Sequence, residues 1–166
     1  MKKVLLSLSF ILMATVTFAQ NPLYVGTPQL NLGIGLSDVG IPVFVGLDYC
    51  ILRDLTIGAE ASYRAYNEYW ESNYYNHNII GLSGNANYHF NSLFRMSNRW
   101  DLYAGANVGF YVWTSPYDYT GNRSSNLGFG GQIGARYYVT NSLGLNLEFG
   151  GGNAFNGGKL GISFRL

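Results

Sequence analysis

The sequence predicts an all-β fold: an eight-stranded antiparallel up-and-down transmembrane β-barrel. Three observations predict it. Apolar and polar side chains alternate with a period of two along most of the chain, charged residues are too few to cover a water-facing surface, and an export signal stands at the N-terminus. Charged residues make up 11% of the 166 residues, against about 25% in ordinary soluble domains. Gly, Asn, Ser and Tyr fill the polar positions instead. The formal net charge of +1 gives no electrostatic case for nucleic acid.

The N-terminal element comes first. Lys2 and Lys3 precede the apolar run 4–18, and Thr17-Phe18-Ala19 supplies small residues where a signal peptidase reads. Residues 1–19 are therefore expected to be a cleaved signal peptide and residues 20–166 the barrel. The run is shorter than the ~20 apolar residues of a spanning helix. The single cysteine, Cys50, forms no internal disulfide and excludes metal sites built on Cys pairs. No cofactor is expected.

The strands follow in order. Leu30, Leu32, Ile34 and Leu36 oppose Asn31, Gly33 and Gly35. Val43, Val45, Leu47, Tyr49 and Ile51 then oppose Phe44, Gly46, Asp48 and Cys50. After the tight turn Arg53-Asp54, Leu55, Ile57, Ala59, Ala61 and Tyr63 oppose Thr56, Gly58, Glu60, Ser62 and Arg64. A polar, aromatic loop is expected over 67–76. Ile80, Leu82, Ala86, Tyr88 and Phe90 then alternate with Gly81, Ser83, Asn85, Asn87 and His89. A turn over 91–99 leads to Trp100, Leu102, Ala104, Ala106, Val108, Phe110 and Val112, set against Asp101, Tyr103, Gly105, Asn107, Gly109 and Tyr111. After a loop over 114–125, Leu127, Phe129, Ile133, Ala135, Tyr137 and Val139 oppose Gly128, Gly130, Gln132, Gly134 and Arg136. Leu143, Leu145, Leu147 and Phe149 oppose Gly144, Asn146 and Glu148. A Gly-rich loop precedes the last strand, where Leu160, Ile162, Phe164 and Leu166 oppose Lys159, Gly161, Ser163 and Arg165.

Backbone groups in hydrocarbon have no water to bond, so a spanning sheet must close on itself. Short turns alternating with longer loops fit such a barrel. The turn over 91–99 is longer than that rule predicts, and the first loop at the other end is shorter. Alternation by itself also allows a soluble periplasmic barrel that encloses an apolar ligand. The polar face decides, because a water-facing set would be dense in Lys and Glu, whereas this one is Gly and Asn with scattered charges.

That face carries Asp48, Glu60, Asp101 and Glu148 against Arg64, Arg136, Lys159 and Arg165. The signs balance. In a narrow lumen an unpaired charge is costly, so these groups are expected to form hydrogen-bonded ion pairs that plug the interior. Lys159 and Asp101 lie near strand ends, and rim positions in water are the plainer reading for both. A small low-conductance channel is the alternative to a plug.

Tyr66, Tyr69, Trp70, Tyr74 and Tyr75 cluster in one loop region, with Tyr117 and Tyr119 in the next. Aromatic side chains among Asn and Ser suit contact with an extracellular protein or glycan. Strands extended beyond the membrane, with interfacial tyrosines, account for them equally well. His77 stands beside Glu68, Glu71 and Ser72, so a lipid-modifying enzyme centred on His77 is a further alternative. A solvated loop histidine is the plainer reading. His89 falls at the opposite end of the same strand, too far to cooperate.

The signal peptide, the eight alternating segments and the final strand Leu160-Gly161-Ile162-Ser163-Phe164-Arg165-Leu166 resemble the small eight-stranded outer-membrane barrels. That group contains the outer membrane protein A transmembrane domain and outer membrane protein X. The resemblance implies a Gram-negative outer membrane, contact with its lipid, and a final strand read by the barrel assembly machinery through Phe164 and Leu166. The terminal residue is Leu166 where the family usually has an aromatic. Anchoring, surface contact or weak permeation is implied, without shared chemistry.

Overall fold

The computed structural model describes residues 23–70, 73–121 and 125–166. The expected signal peptide lies outside the described residues, as do Glu71 and Ser72. The strands are β1 (Pro28–Ser37), β2 (Val43–Leu52), β3 (Leu55–Trp70), β4 (Asn73–His89), β5 (Trp100–Thr114), β6 (Asn126–Tyr138), β7 (Leu143–Gly152) and β8 (Gly157–Arg165), with one short helix, α1 (Asn91–Phe94), between β4 and β5. Each strand pairs antiparallel with its neighbours in sequence, and β1 pairs with β8 to close an eight-stranded barrel. The closing seam runs from Gln29 opposite Arg165 to Ser37 opposite Gly157. Closure leaves no sheet edge, which is the condition for strands in lipid.

The alternation decides what faces where. Val43, Val45, Leu47 and Tyr49 of β2 point outward and are exposed, while Phe44, Asp48 and Cys50 are buried. The same parity sets Leu82, Phe110, Ile133, Leu147 and Leu160 on the outer wall. So large an apolar exterior belongs against lipid. Aromatic pairs stand at one end of this belt: Trp100 and Tyr137 have ring centroids 4.9 Å apart, Tyr88 and Phe90 5.2 Å.

The start of β1, the end of β8 and the connections at 53–54, 90–99 and 139–142 gather at one end, the turn end; the opposite ends of the strands form the loop end. The long connection at the turn end is accounted for by α1. Asn91 donates from its side chain to the Trp100 carbonyl and accepts from the Leu102 N–H (3.2 Å), and Arg95 ends the helix with φ of 49°. The segment before β1 continues the sheet, Gly26 N–H donating to the Cys50 carbonyl (2.8 Å). Leu23 is buried there.

The expected loop over 67–76 is a correction. β3 and β4 stay paired until Trp70 opposite Asn73. Period two persists, but its sign inverts above Tyr63. Ala65, Asn67, Asn76 and Asn78 hold the outward positions, with Asn76 donating to Asn67 (2.8 Å), while Tyr66, Tyr75, His77 and Ile79 hold the inward ones. Here the outer wall is polar up to the exposed Tyr69–Tyr74 pair at the tip, and Tyr66, Tyr75, His77 and Ile79 turn inside, as expected where the wall leaves hydrocarbon for water. That reversal made a strand read as a loop.

Candidate functional site

The inward parity assembles two charged layers and an open chamber. At the turn end, Arg136 of β6 is buried. Its Nη1 donates to Asp101 Oδ2 of β5 (3.1 Å) and its Nη2 to Asp48 Oδ2 of β2 (3.0 Å). Asp101 Oδ1 shares a hydrogen bond with His89 Nδ1 of β4 (2.7 Å), and His89 Nε2 with Thr56 Oγ1 of β3 (3.0 Å). In the other direction Asn31 Nδ2 of β1 donates to Asp48 Oδ2 (2.9 Å), and Ser163 Oγ of β8 donates to Asn31 Oδ1 (2.7 Å). Tyr103, whose ring lies 4.2 Å under the Arg136 guanidinium, reaches Glu148 Oε2 on β7 at 2.9 Å. One belt of hydrogen bonds, completed by the Tyr103 ring against Arg136, thus touches all eight strands. Below it Tyr138 shares a hydrogen bond with the Gln29 amide, and the Arg165 guanidinium lies 3.5 Å from the Tyr138 ring centroid.

A second layer spans the middle of the lumen. Lys159 Nζ of β8 donates to both carboxylate oxygens of Glu60 on β3 (2.7 and 2.8 Å) and lies 3.2 Å from Glu148 Oε1 on β7. The void between the layers is about 20 Å³, room for on the order of one water. Asp101 is not at a water-filled rim: it is wholly buried, because Arg136 and His89 close over it. Lys159 is one-third exposed, and faces the chamber above, not the rim.

That chamber is a vestibule of about 110 Å³ toward the loop end. Its floor is the Glu60–Lys159–Glu148 bridge, and its sides carry Arg64, Tyr111, Phe155 and a run of glycines on β6 to β8. A Cβ at Gly128 would stand 2.4 Å from the Tyr111 ring and 2.9 Å from Ala154. Glycine is the residue that lets this wall pass so close. Arg64 thus stands apart from the two ion-paired layers.

Above the vestibule, His77 is fully buried, which corrects the solvated-loop reading. Its Nδ1 shares a hydrogen bond with Ser115 Oγ (2.9 Å) and its Nε2 lies 3.5 Å from Glu68 Oε2. Tyr119 donates to the same Glu68 oxygen (2.8 Å) and packs edge-on against His77, ring centroids 4.6 Å apart. The aromatic cluster divides: Tyr75 is buried and Tyr66 and Tyr119 are half-buried around His77, whereas Tyr69, Trp70, Tyr74 and Tyr117 are exposed. Phe164 and Leu166 lie at the turn end, half-exposed and exposed.

Sequence reasoning assigned no role to His89, Gln29, Asn31, Thr56 or Tyr138. Their inward parity was the available signal. Among the described residues, no group of three or more His, Cys, Asp or Glu is placed to hold a metal ion.

A family model described as the outer membrane protein beta-barrel domain matches residues 4–164. No curated protein matches the chain. Among solved structures, the outer membrane protein OprG from Pseudomonas aeruginosa superposes with a TM-score of 0.70 at 8% identity, over 90% of this chain and 99% of that one. The N-terminal β-barrel domain of Pseudomonas aeruginosa OprF gives 0.59 at 16% identity, over 85% and 98%. Neisserial surface protein A gives 0.57 at 16%, over 84% and 95%. At such identities the likeness is one of fold.

Proposed function

This chain belongs to the outer membrane protein β-barrel family, and we propose that it is a sealed, non-enzymatic barrel that meets its partners through the loop end. The Gram-negative outer membrane is where that family resides. The observation that carries the proposal is the belt around Arg136, which ties all eight strands across the turn end and leaves a void of about 20 Å³ above it. Ion flow would require these groups to separate, exposing a buried cation and two buried carboxylates. Purified protein in planar bilayers should therefore show no stable unitary conductance. A stable conductance overturns the sealed lumen in favour of a channel.

Exposed Tyr69, Trp70, Tyr74 and Tyr117 give the loop end rigid, amphipathic contact groups for an extracellular protein or glycan. Lipid surrounds the wall, and the final strand with Phe164 and Leu166 presents itself to the assembly machinery. Export would remove residues 1–19. N-terminal sequencing of protein from the membrane should begin at Gln20; a retained Met1 refutes cleavage.

One observation favours a second, enzymatic reading. Ser115, His77 and Glu68 line up as nucleophile, base and carboxylate. In that reading Ser115 Oγ would attack an ester carbonyl while its proton passes to His77 Nδ1, and the ester C–O bond would break as His77 returns that proton to the departing alcohol. The full burial of His77 beneath Tyr119 favours a packing role instead. Lipid A from cells making wild-type protein or His77→Ala should be identical; a difference assigns chemistry to His77.

A further inference from the structure

Two arginines of the lumen stand outside the ion-paired layers: Arg165 lies against the Tyr138 ring at the turn end, and Arg64 lines the vestibule. Arg64 is 6% exposed, yet among the described residues its guanidinium makes one hydrogen bond, from Nη1 to Ser37 Oγ (3.0 Å). Its Nε is buried without a partner. The face of the group lies 4.0 Å from the Phe155 ring centroid, which leaves its in-plane donors as the unused part. Asp38 and Glu60 are the carboxylates whose fields reach it, but both are engaged elsewhere. Asp38 accepts from Asn156 (3.2 and 3.3 Å) and Glu60 from Lys159.

A buried guanidinium with one neutral acceptor and no counter-charge is costly, and an in-plane fork is matched by the two oxygens of a carboxylate or phosphate. We infer that the loop-end vestibule binds a small polar organic anion, a carboxylate or phosphate ester about the size of one sugar, held by Arg64. The chamber of about 110 Å³ has room for on the order of ten waters, which sets that size. Its floor places two carboxylates on one ammonium, so the ligand's anion points up to Arg64 and a neutral or cationic portion points down. The phosphate could come from a soluble metabolite or from a lipid headgroup. This inference needs only the barrel and its open loop end, and stands whether or not the lumen conducts.

The test is side-chain NMR of arginine-labelled full-length protein, folded in phospholipid nanodiscs with and without lipopolysaccharide. Inorganic phosphate, acetate and glucose 6-phosphate are titrated, with glucose as the neutral control. The Arg64 Nε resonance, identified by its loss in Arg64→Lys, should shift saturably with the anions. Glucose 6-phosphate should bind at least about tenfold more tightly than glucose, the ratio expected for one charge-assisted hydrogen-bonded pair. Arg64→Gln, checked for folding by heat-modifiable migration, should weaken binding about tenfold or more, measured by calorimetry. Should Arg64→Gln fail to fold, Arg64→Lys keeps the charge but loses the fork and should show an intermediate affinity. A shift present in lipopolysaccharide nanodiscs before any titration names a lipid phosphate as the source; a shift only on titration names a soluble one. No shift from either source, or equal affinity for glucose and glucose 6-phosphate, overturns the inference.

Discussion

The two halves of the lumen are built from the same alternation but filled in opposite ways. At the turn end the buried Arg136 has a carboxylate on each Nη and an aromatic ring under its face. At the loop end Arg64, equally inward and nearly as buried, has a hydroxyl and a ring but no carboxylate. Below, the Tyr103 and Tyr138 rings fill the space beside Gly134 and Gly144; above, Tyr111 lies against Gly128, but the glycines of β6 to β8 still border an open chamber. The difference teaches that a barrel interior can be a close-packed, ion-paired core over one part of its length and a polar cavity over the rest, without any change in strand pattern.

Breaking the turn-end belt should have the largest effect. Arg136→Met leaves Asp48 and Asp101 buried without their cation and should cost about 3–5 kcal/mol of folding stability in urea titrations. Adding Asp48→Asn and Asp101→Asn should recover a large part of the loss. A single variant within about 1 kcal/mol of wild type would mean that the belt is not what holds this half closed. Gly134→Ala should come next, since the new Cβ would lie 2.2 Å from Tyr103 Cζ and must push that ring off Arg136, at about 1–3 kcal/mol.

The middle layer should be more forgiving. Lys159 is one-third exposed, so solvent screens the pair of carboxylates that Lys159→Met would leave, and a loss of about 1 kcal/mol or less is expected. A cost equal to that of Arg136→Met would place the seal higher in the lumen than the geometry argues. At the loop end Tyr74→Ser, at a side chain 80% exposed, should leave urea stability within about 0.5 kcal/mol. A larger loss would make the hairpin tip part of the fold and not a contact surface.

Much of the fold was legible because a strand's side-chain period is two and a barrel wall has only two faces. Leu30 to Leu36, Val43 to Tyr49 and Leu160 to Leu166 carry the same alternation in sequence and in space. The reading failed where the solvent changes. In the hairpin around Tyr66 and His77 the alternation continues with its sign reversed, and a rule that expects apolar residues outside cannot see it. The solvated histidine fell with the loop that was to carry it.

The site was legible only as a set of inward residues. Parity alone placed Asp48, Asp101 and Arg136 inside, as it did Arg64, because facing is a local property of the strand. Which of them meet is not local: Arg136 and Asp48 are 88 residues apart, on strands that do not pair with each other. Their contact exists only because the sheet curls shut and brings opposite walls within one side-chain length. Pairing of β5 with β6 set Asp101 opposite Arg136, closure added Asp48 from the far wall and left Arg64 with no carboxylate, while the sequence by itself had determined that both arginines point inward.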